Sequence, residues 1–489
     1  MGDGLKERTA KGLVWGAVNS LTTQLLSVLI GIVLGRLLSP SEYGMVGMLA
    51  VFTAVAGSLQ ESGFTAALTN LKEATHRDYN AVFWFSTLVS AVLYALLFLC
   101  SPLIARFFHQ PELTALSRLV FASMLMAGIG TTHAAYMFRN MMNRERTITS
   151  FVALTGSGTI GITLALNGYS YWSLAWQQFA FICIVNAGRL YFVRWHPTVQ
   201  LDFRPIRRMF GFSSKLLVTN LINQANNNLL SFVFGRLFTA GAVGNYTQAA
   251  KWNQMGYSLI SGTIQQVAQP VLASISDEEG RQQRAFRKML RFTAMLSMPA
   301  MFGLGLIADF IVLLLGRHWA DSVSLLQILC ISGAFLPIHT LYQNLFISDG
   351  RSDTYMWCSV AQIATQIVIV LAFSQIGLKA MVTAFALMLV LWTVVWQALA
   401  QRLTGLKMLD MLKDVVPFML IALTCAGVAW WATRNVEELW LSILLRAVIM
   451  GALYVGMMKV AKVKIFDECI TFLVKRKKIK NKIQEKKMT

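Results

Sequence analysis

The chain has 489 residues, 56% of them hydrophobic and only 13% charged, with a formal charge of +20 and a mean hydropathy of +0.55. A water-soluble protein of this length needs far more polar surface to cover its core. Apolar runs of about 18 residues or more, each long enough to cross a bilayer as a helix, recur from end to end, so the composition excludes a soluble enzyme or scaffold and points to an all-α polytopic membrane protein.

In chain order, the short start MGDGLKERTAK leads into 12–37. That segment is too long for the apolar core of a cleavable signal and reads as the first membrane helix. Further spans follow at 43–68, 80–105, 114–138, 148–167, 171–193, 211–236, 242–273, 289–316, 322–347, 354–375, 377–400, 415–433 and 439–460, fourteen helices in all. The connections 69–79, 139–147, 189–215, 274–291, 348–353 and 401–414, with the two tails, fall on one side and hold most of the lysine and arginine. The positive-inside rule then puts both termini in the cytoplasm. The basic tail from Lys475 to Lys487 suits anionic lipid headgroups, a simpler partner than nucleic acid. Cys100, Cys183, Cys330, Cys358, Cys425 and Cys469 are scattered without a C-x-x-C pair, and the histidines are equally dispersed. No disulfide framework, metal site or cofactor is expected from that pattern.

One frame occurs twice: GRLLSPSEYG from Gly35 to Gly44 returns as GRLFTAGAVG from Gly235 to Gly244. The same shift pairs Val18 with Val218, Leu21 with Leu221, Gln24 with Gln224, Leu29 with Leu229 and Val33 with Val233. Both copies end a helix that runs outward, so the halves read as parallel repeats related by an axis along the membrane normal. Transporters whose two bundles rock about a central site are built this way. The glycines read as permitting tight turns, and Arg36 and Arg236 as snorkelling to headgroups.

With ESGF (Glu61 to Phe64), GNY (Gly244 to Tyr246), GRHW (Gly316 to Trp319) and SDGRSD (Ser348 to Asp353) in that order, the chain resembles the polysaccharide transporter family of Wzx-type, colanic-acid-exporter-like flippases. These belong to the multidrug/oligosaccharidyl-lipid/polysaccharide exporter superfamily. The resemblance implies two six-helix lobes in a V shape, residues 1–205 and 206–405, with two added helices in 406–462 and a basic tail at 463–489. It also implies a bacterial inner-membrane location. The implied substrate is a polyprenyl-diphosphate-linked oligosaccharide repeat unit (O-antigen, capsule or exopolysaccharide precursor), moved by alternating access.

Polar side chains at bilayer depth mark functional faces. In NLINQANNN, Asn220, Asn223, Gln224 and Asn227 follow i, i+3, i+4, i+7 and form one helical stripe. Carboxamides both donate and accept, which suits sugar hydroxyls; hydrogen bonding between helices is the plainer use of them. Helix 1 offers Asn19 and Gln24, the latter equivalent by repeat to Gln224. Helix 8 carries Lys251 and Trp252, the cation suited to a diphosphate and the ring to a sugar face. Lys251 snorkelling outward or pairing with an acid is the alternative. Glu61 and Asp309 are the intramembrane acids, each a candidate for a coupling proton or sodium ion or a structural partner for a cation. The outer connections are short and carry no D-x-D or His/Asp constellation, which argues against an enzyme. A drug or cation antiporter is the runner-up, and it would favour acids over the amides and lysine seen here.

Overall fold

The computed structural model describes residues 22–61, 64–71, 73–275, 279–468 and 471. Asn19 lies outside them, as do the side chains of Glu61, Asn223 and Asn227. Among the described residues the regular elements are helices throughout. They begin with α1 (Thr22–Leu37), α2 (Pro40–Glu61), α3 (Phe64–Asn70), α4 (His76–Phe108), α5 (Leu113–Arg139), α6 (Asn143–Leu166), α7 (Trp172–Phe192), α8 (Arg204–Leu237) and α9 (Ala240–Ala273). They continue with α10 (Glu279–Leu306), α11 (Phe310–Leu315), a 3₁₀ turn at Arg317–Trp319, α12 (Ala320–Gly333), α13 (Leu336–Ser348), α14 (Ser352–Phe373), α15 (Leu378–Thr404), α16 (Met408–Thr433) and α17 (Leu439–Val460). Ten helical stretches among the described residues are long and apolar enough to cross a membrane. The chain is an all-α, multi-pass membrane protein. Helices α7, α8 and α9, with 21, 34 and 34 residues, have the length, but glutamines and asparagines dilute their apolar character.

The chain divides into two compact units, Met1–Thr247 with Leu314–Trp319, and Gln248–Leu313 with Ala320–Thr489. In the first, α4 packs on α5, α5 and α6 on α7, and α2 on α8. Small residues let these helices approach. A Cβ at Gly128 of α5 would lie 2.2 Å from Ser90 Oγ of α4, and one at Gly188 of α7 would lie 2.6 Å from Thr149 Cγ2 of α6. Without a hydrophobic drive between helices in lipid, such close van der Waals contact is the main source of cohesion. In the second unit, α10 packs on α12 and α16, α15 on α12 and α14, and α16 on α17.

The connection from α7 to α8 is tied along the start of α4. Asn80 donates from Nδ2 to Gln200 O at 2.7 Å and accepts from Thr198 N at 2.9 Å. Trp84 Nε1 donates to Thr198 O at 2.7 Å, and Arg77 pairs with Asp202. The Arg204 backbone N–H, followed by the Arg77 guanidinium, holds the Asp202 carboxyl below the usual carboxylate range. Arg208 reaches the buried carboxylate of Asp78 at 3.1 Å, so basic residues that serve topology in the sequence also bind this connection.

The repeated frame has a specific structural meaning inside the first unit. Ser39 precedes α2 and donates from its backbone N and its hydroxyl to Glu42, at 2.6 and 2.8 Å. Its counterpart Thr239 precedes α9 and accepts from Ala242 N at 3.3 Å. Thr239 therefore caps its helix start through its side chain, while Ser39 stands at the equivalent position and is itself bound by Glu42, the third residue of α2, reaching back. Gly44 and Gly244 do not make turns: each lies inside its helix, outside the positive-φ set. A Cβ at Gly44 would sit 1.7 Å from Ala240 O, and one at Gly244 would sit 1.8 Å from Pro40 O. These glycines permit backbone contact between α2 and α9.

Candidate functional site

Helix α9 leaves one polar stripe uncovered by protein. Lys251, Gln254, Ser258, Gln265 and Gln269 are all exposed, at spacings of 3, 4, 7 and 4 residues that keep them on one face. Among the described residues nothing would lie within 4 Å of a Cβ at Gly262, midway along. Lys251 lies about 16 Å from the start of α9 at 1.5 Å per residue. It makes no hydrogen bond or ion pair among the described residues. A lysine near bilayer depth costs about 3 kcal/mol in insertion, so a cation there without an acidic partner is positioned for water or an anion. Lys251 stands out in the sequence as a cation at bilayer depth; that Gln254 and Ser258 share its exposed face is seen once the packing of the helix is known.

Trp252, one residue and about 100° further round, faces protein instead. It is half-buried, and its ring meets Phe310 edge-on with centroids 4.9 Å apart. Tyr246 is buried against Phe234 at 4.7 Å. The aromatic residues of this segment therefore serve packing more than they offer open faces.

In α8, Asn220 is exposed and Gln224 half-buried. Asn228 Nδ2 donates to Gln224 O at 3.0 Å and to its side-chain Oε1 at 3.4 Å, so this pair holds its orientation within the helix. The side chains of Asn223 and Asn227 lie outside the described residues, and the stripe is seen at Asn220 and Gln224 alone. Gln24 of α1 is exposed. Among the described residues no three His, Cys, Asp or Glu side chains converge as metal ligands.

The two acids differ. Glu61 ends α2, and its side chain lies outside the described residues. Asp309, in the turn between α10 and α11, accepts from Arg446 Nη1 of α17 at 2.8 Å. Arg446 also reaches Leu306 O at 3.4 Å and Thr433 Oγ1 at 3.2 Å. Its side chain is 14% exposed against 34% for Asp309. The partner lies 137 residues away in sequence, which is why the acid reads as available from the sequence. Asp309→Asn is expected to lower stability by about 1–2 kcal/mol, a buried-pair loss discounted for exposure, in thermal unfolding in detergent. The double variant Asp309→Asn/Arg446→Gln should recover most of it and keep transport. An ion carrier at Asp309 would instead leave the double variant inactive.

Residues 33–324 match the family model of the polysaccharide biosynthesis protein family. The chain is 25% identical over 363 residues to the teichuronic acid biosynthesis protein TuaB of Bacillus subtilis (strain 168), covering 73% of this chain and 74% of that protein. It is 24% identical over 357 residues to the lipopolysaccharide biosynthesis protein WzxC of Escherichia coli (strain K12), covering 71% and 72%. Among solved structures, the lipid II flippase MurJ in an inward closed conformation superposes with a TM-score of 0.73, over 91% of this chain and 99% of that one, at 12% identity. At that identity the likeness establishes the fold.

Proposed function

The chain belongs to the polysaccharide biosynthesis protein family, and from that premise we propose that it is a flippase for a polyprenyl-diphosphate-linked oligosaccharide repeat unit. It is a transporter, not an enzyme. The observation that carries the reading is the exposed polar stripe of α9 with Lys251 at its head. A diphosphate crossing hydrocarbon unaided meets a prohibitive solvation cost, and a cation on a wet polar face lowers it. Amides and hydroxyls along the same stripe supply donors and acceptors for sugar hydroxyls without chemistry on them. The relatives named for teichuronic acid and lipopolysaccharide biosynthesis support a glycan cargo.

In this reading the headgroup meets Asn220, Asn223, Gln224 and Asn227 of α8, Gln24 and Asn19 of the first helix, and Lys251 with its stripe on α9. Trp252 shapes that stripe from behind through Phe310. The chain crosses the bacterial inner membrane fourteen times with both termini in the cytoplasm. Residues 1–205 and 206–405 form two six-helix lobes, followed by two helices and a basic tail on lipid headgroups. Glu61 is the better coupling-ion candidate, for a proton or sodium ion, because Arg446 engages Asp309.

Deleting the gene and restoring it on a plasmid tests the function. Loss should leave intact lipid-linked repeat units on the cytoplasmic leaflet and remove the surface glycan. A deletion strain with normal surface glycan and raised drug sensitivity would transfer the protein to the antiporter class.

A further inference from the structure

Helix α10 carries a proline in its interior, Pro299. Proline has no N–H to give, so the carbonyl four residues back, Met295 O, loses its donor in the helical ladder. Tyr454 of α17 supplies one: its hydroxyl donates to Met295 O at 2.9 Å, and both residues are buried. Among the described residues three other helices contain an interior proline, Pro102 in α4, Pro270 in α9 and Pro417 in α16. No described side chain donates to the corresponding carbonyls of Phe98, Gln266 and Lys413. The repair at Pro299 is particular to the pairing of α10 with α17.

The proline also divides α10 between two partners. On its N-terminal side Arg287 and Arg291 pair with Asp414 of α16, at 2.7 and 2.5 Å. On its C-terminal side Arg446 of α17 reaches Leu306 O at 3.4 Å and Asp309, just past the helix end, at 2.8 Å. Between Tyr454 and Arg446 the two helices leave a cleft of about 360 Å³. Pro299, Gly303 and Ile307 line it from α10, and Ala447, Gly451 and Tyr454 from α17. Among the described residues nothing would lie within 4 Å of a Cβ at Gly451. The C-terminal half of α10 thus has a weakened backbone joint at one end and free space beside it.

We infer that α10 is hinged at Pro299 and that the Tyr454 hydroxyl is the latch on that hinge. When the bond to Met295 O opens, the C-terminal half of α10 swings across the cleft toward α17 while the N-terminal half stays on α16. Small residues on both walls, Gly303 on one and Ala447 and Gly451 on the other, let the two helices meet in that second arrangement. A single neutral hydrogen bond suits a latch because its net worth is small. The ion pairs on either side are harder to break and keep each half on its own partner through the swing. The inference rests on the flippase reading only in assigning the swing to the export cycle.

A double-mutant cycle separates the latch from ordinary packing. Pro299→Ala restores the N–H that Met295 O lacks, which makes the tyrosine hydroxyl redundant. Amide hydrogen exchange of the full chain in lipid nanodiscs reads local opening. Tyr454→Phe should speed exchange across 296–303 at least tenfold in the parent and less than twofold in the Pro299→Ala background, with α12 and α15 unchanged in both. Gly451→Leu puts a side chain into the empty cleft without touching the latch. It should keep the parental exchange and thermal midpoint, yet lower export per folded protein at least tenfold. Equal acceleration by Tyr454→Phe in both backgrounds would overturn the latch, and parental export by Gly451→Leu would overturn the swing. Exchange needs no substrate. If the cycle behaves as described while the parent moves no lipid-linked oligosaccharide, the latch stands and the cargo assignment falls.

Discussion

Lys251→Ala is expected to lower export of lipid-linked repeat units about 30-fold at normal expression, a loss of about 2 kcal/mol. A unit cation and a phosphate oxygen about 4 Å apart interact by about 4 kcal/mol at an effective dielectric of about 20, and water entering the vacated space returns part of that. Lys251→Arg keeps the charge on the same face and should stay within about threefold of the parent. Lys251→Glu places like charge against the diphosphate and should abolish export. The readout is surface glycan per unit of membrane-inserted protein in the complemented deletion strain. If Lys251→Ala exports at the parental rate, the diphosphate meets a different cation, and the argument from the uncovered stripe fails with it.

What can be read from sequence follows from which interactions are local. Helix α9 is visible with its polar character because side chains three and four residues apart share a face whatever surrounds them. Ser39 and Thr239 are local too, each standing immediately before the helix that begins at the next residue and hydrogen-bonded to its third residue. Gly44 and Gly244 read as turn residues because glycine serves two purposes, positive φ and close approach, and only the position of the other helix distinguishes them. Arg36 shows the same limit. An arginine at a helix end ordinarily snorkels, and its acceptor, Leu314 O, is 278 residues away. Lys251 stands out in both views for one reason: a lysine at that depth is costly whether or not its neighbours are known.

Asp414→Asn is expected to lower stability by about 3 kcal/mol, the range for breaking a buried ion pair from one side, and to drop the unfolding midpoint in detergent by about 5 °C or more. Asp414 of α16 is 1% exposed and takes Arg287 at 2.7 Å and Arg291 at 2.5 Å, both from α10. Arg287 also reaches Asp410 at 3.1 Å. Both pairs of like residues are four apart, so two arginines on one helix face meet two aspartates on another. By sequence these arginines belong to an inward-facing basic connection; in the fold they also hold α16 to α10, and Tyr454 OH of α17 adds a hydrogen bond to Met295 O at 2.9 Å. Replacing the whole charged set with neutral residues, Asp414→Leu and Asp410→Asn with Arg287→Met and Arg291→Met, should restore most of the midpoint, because removing both sides of the buried pairs strands no charge. Export should follow the amount of folded protein in both variants. A midpoint unchanged in Asp414→Asn would show that apolar contact alone, not the arginine–aspartate ladder, fixes these two helices to the second unit.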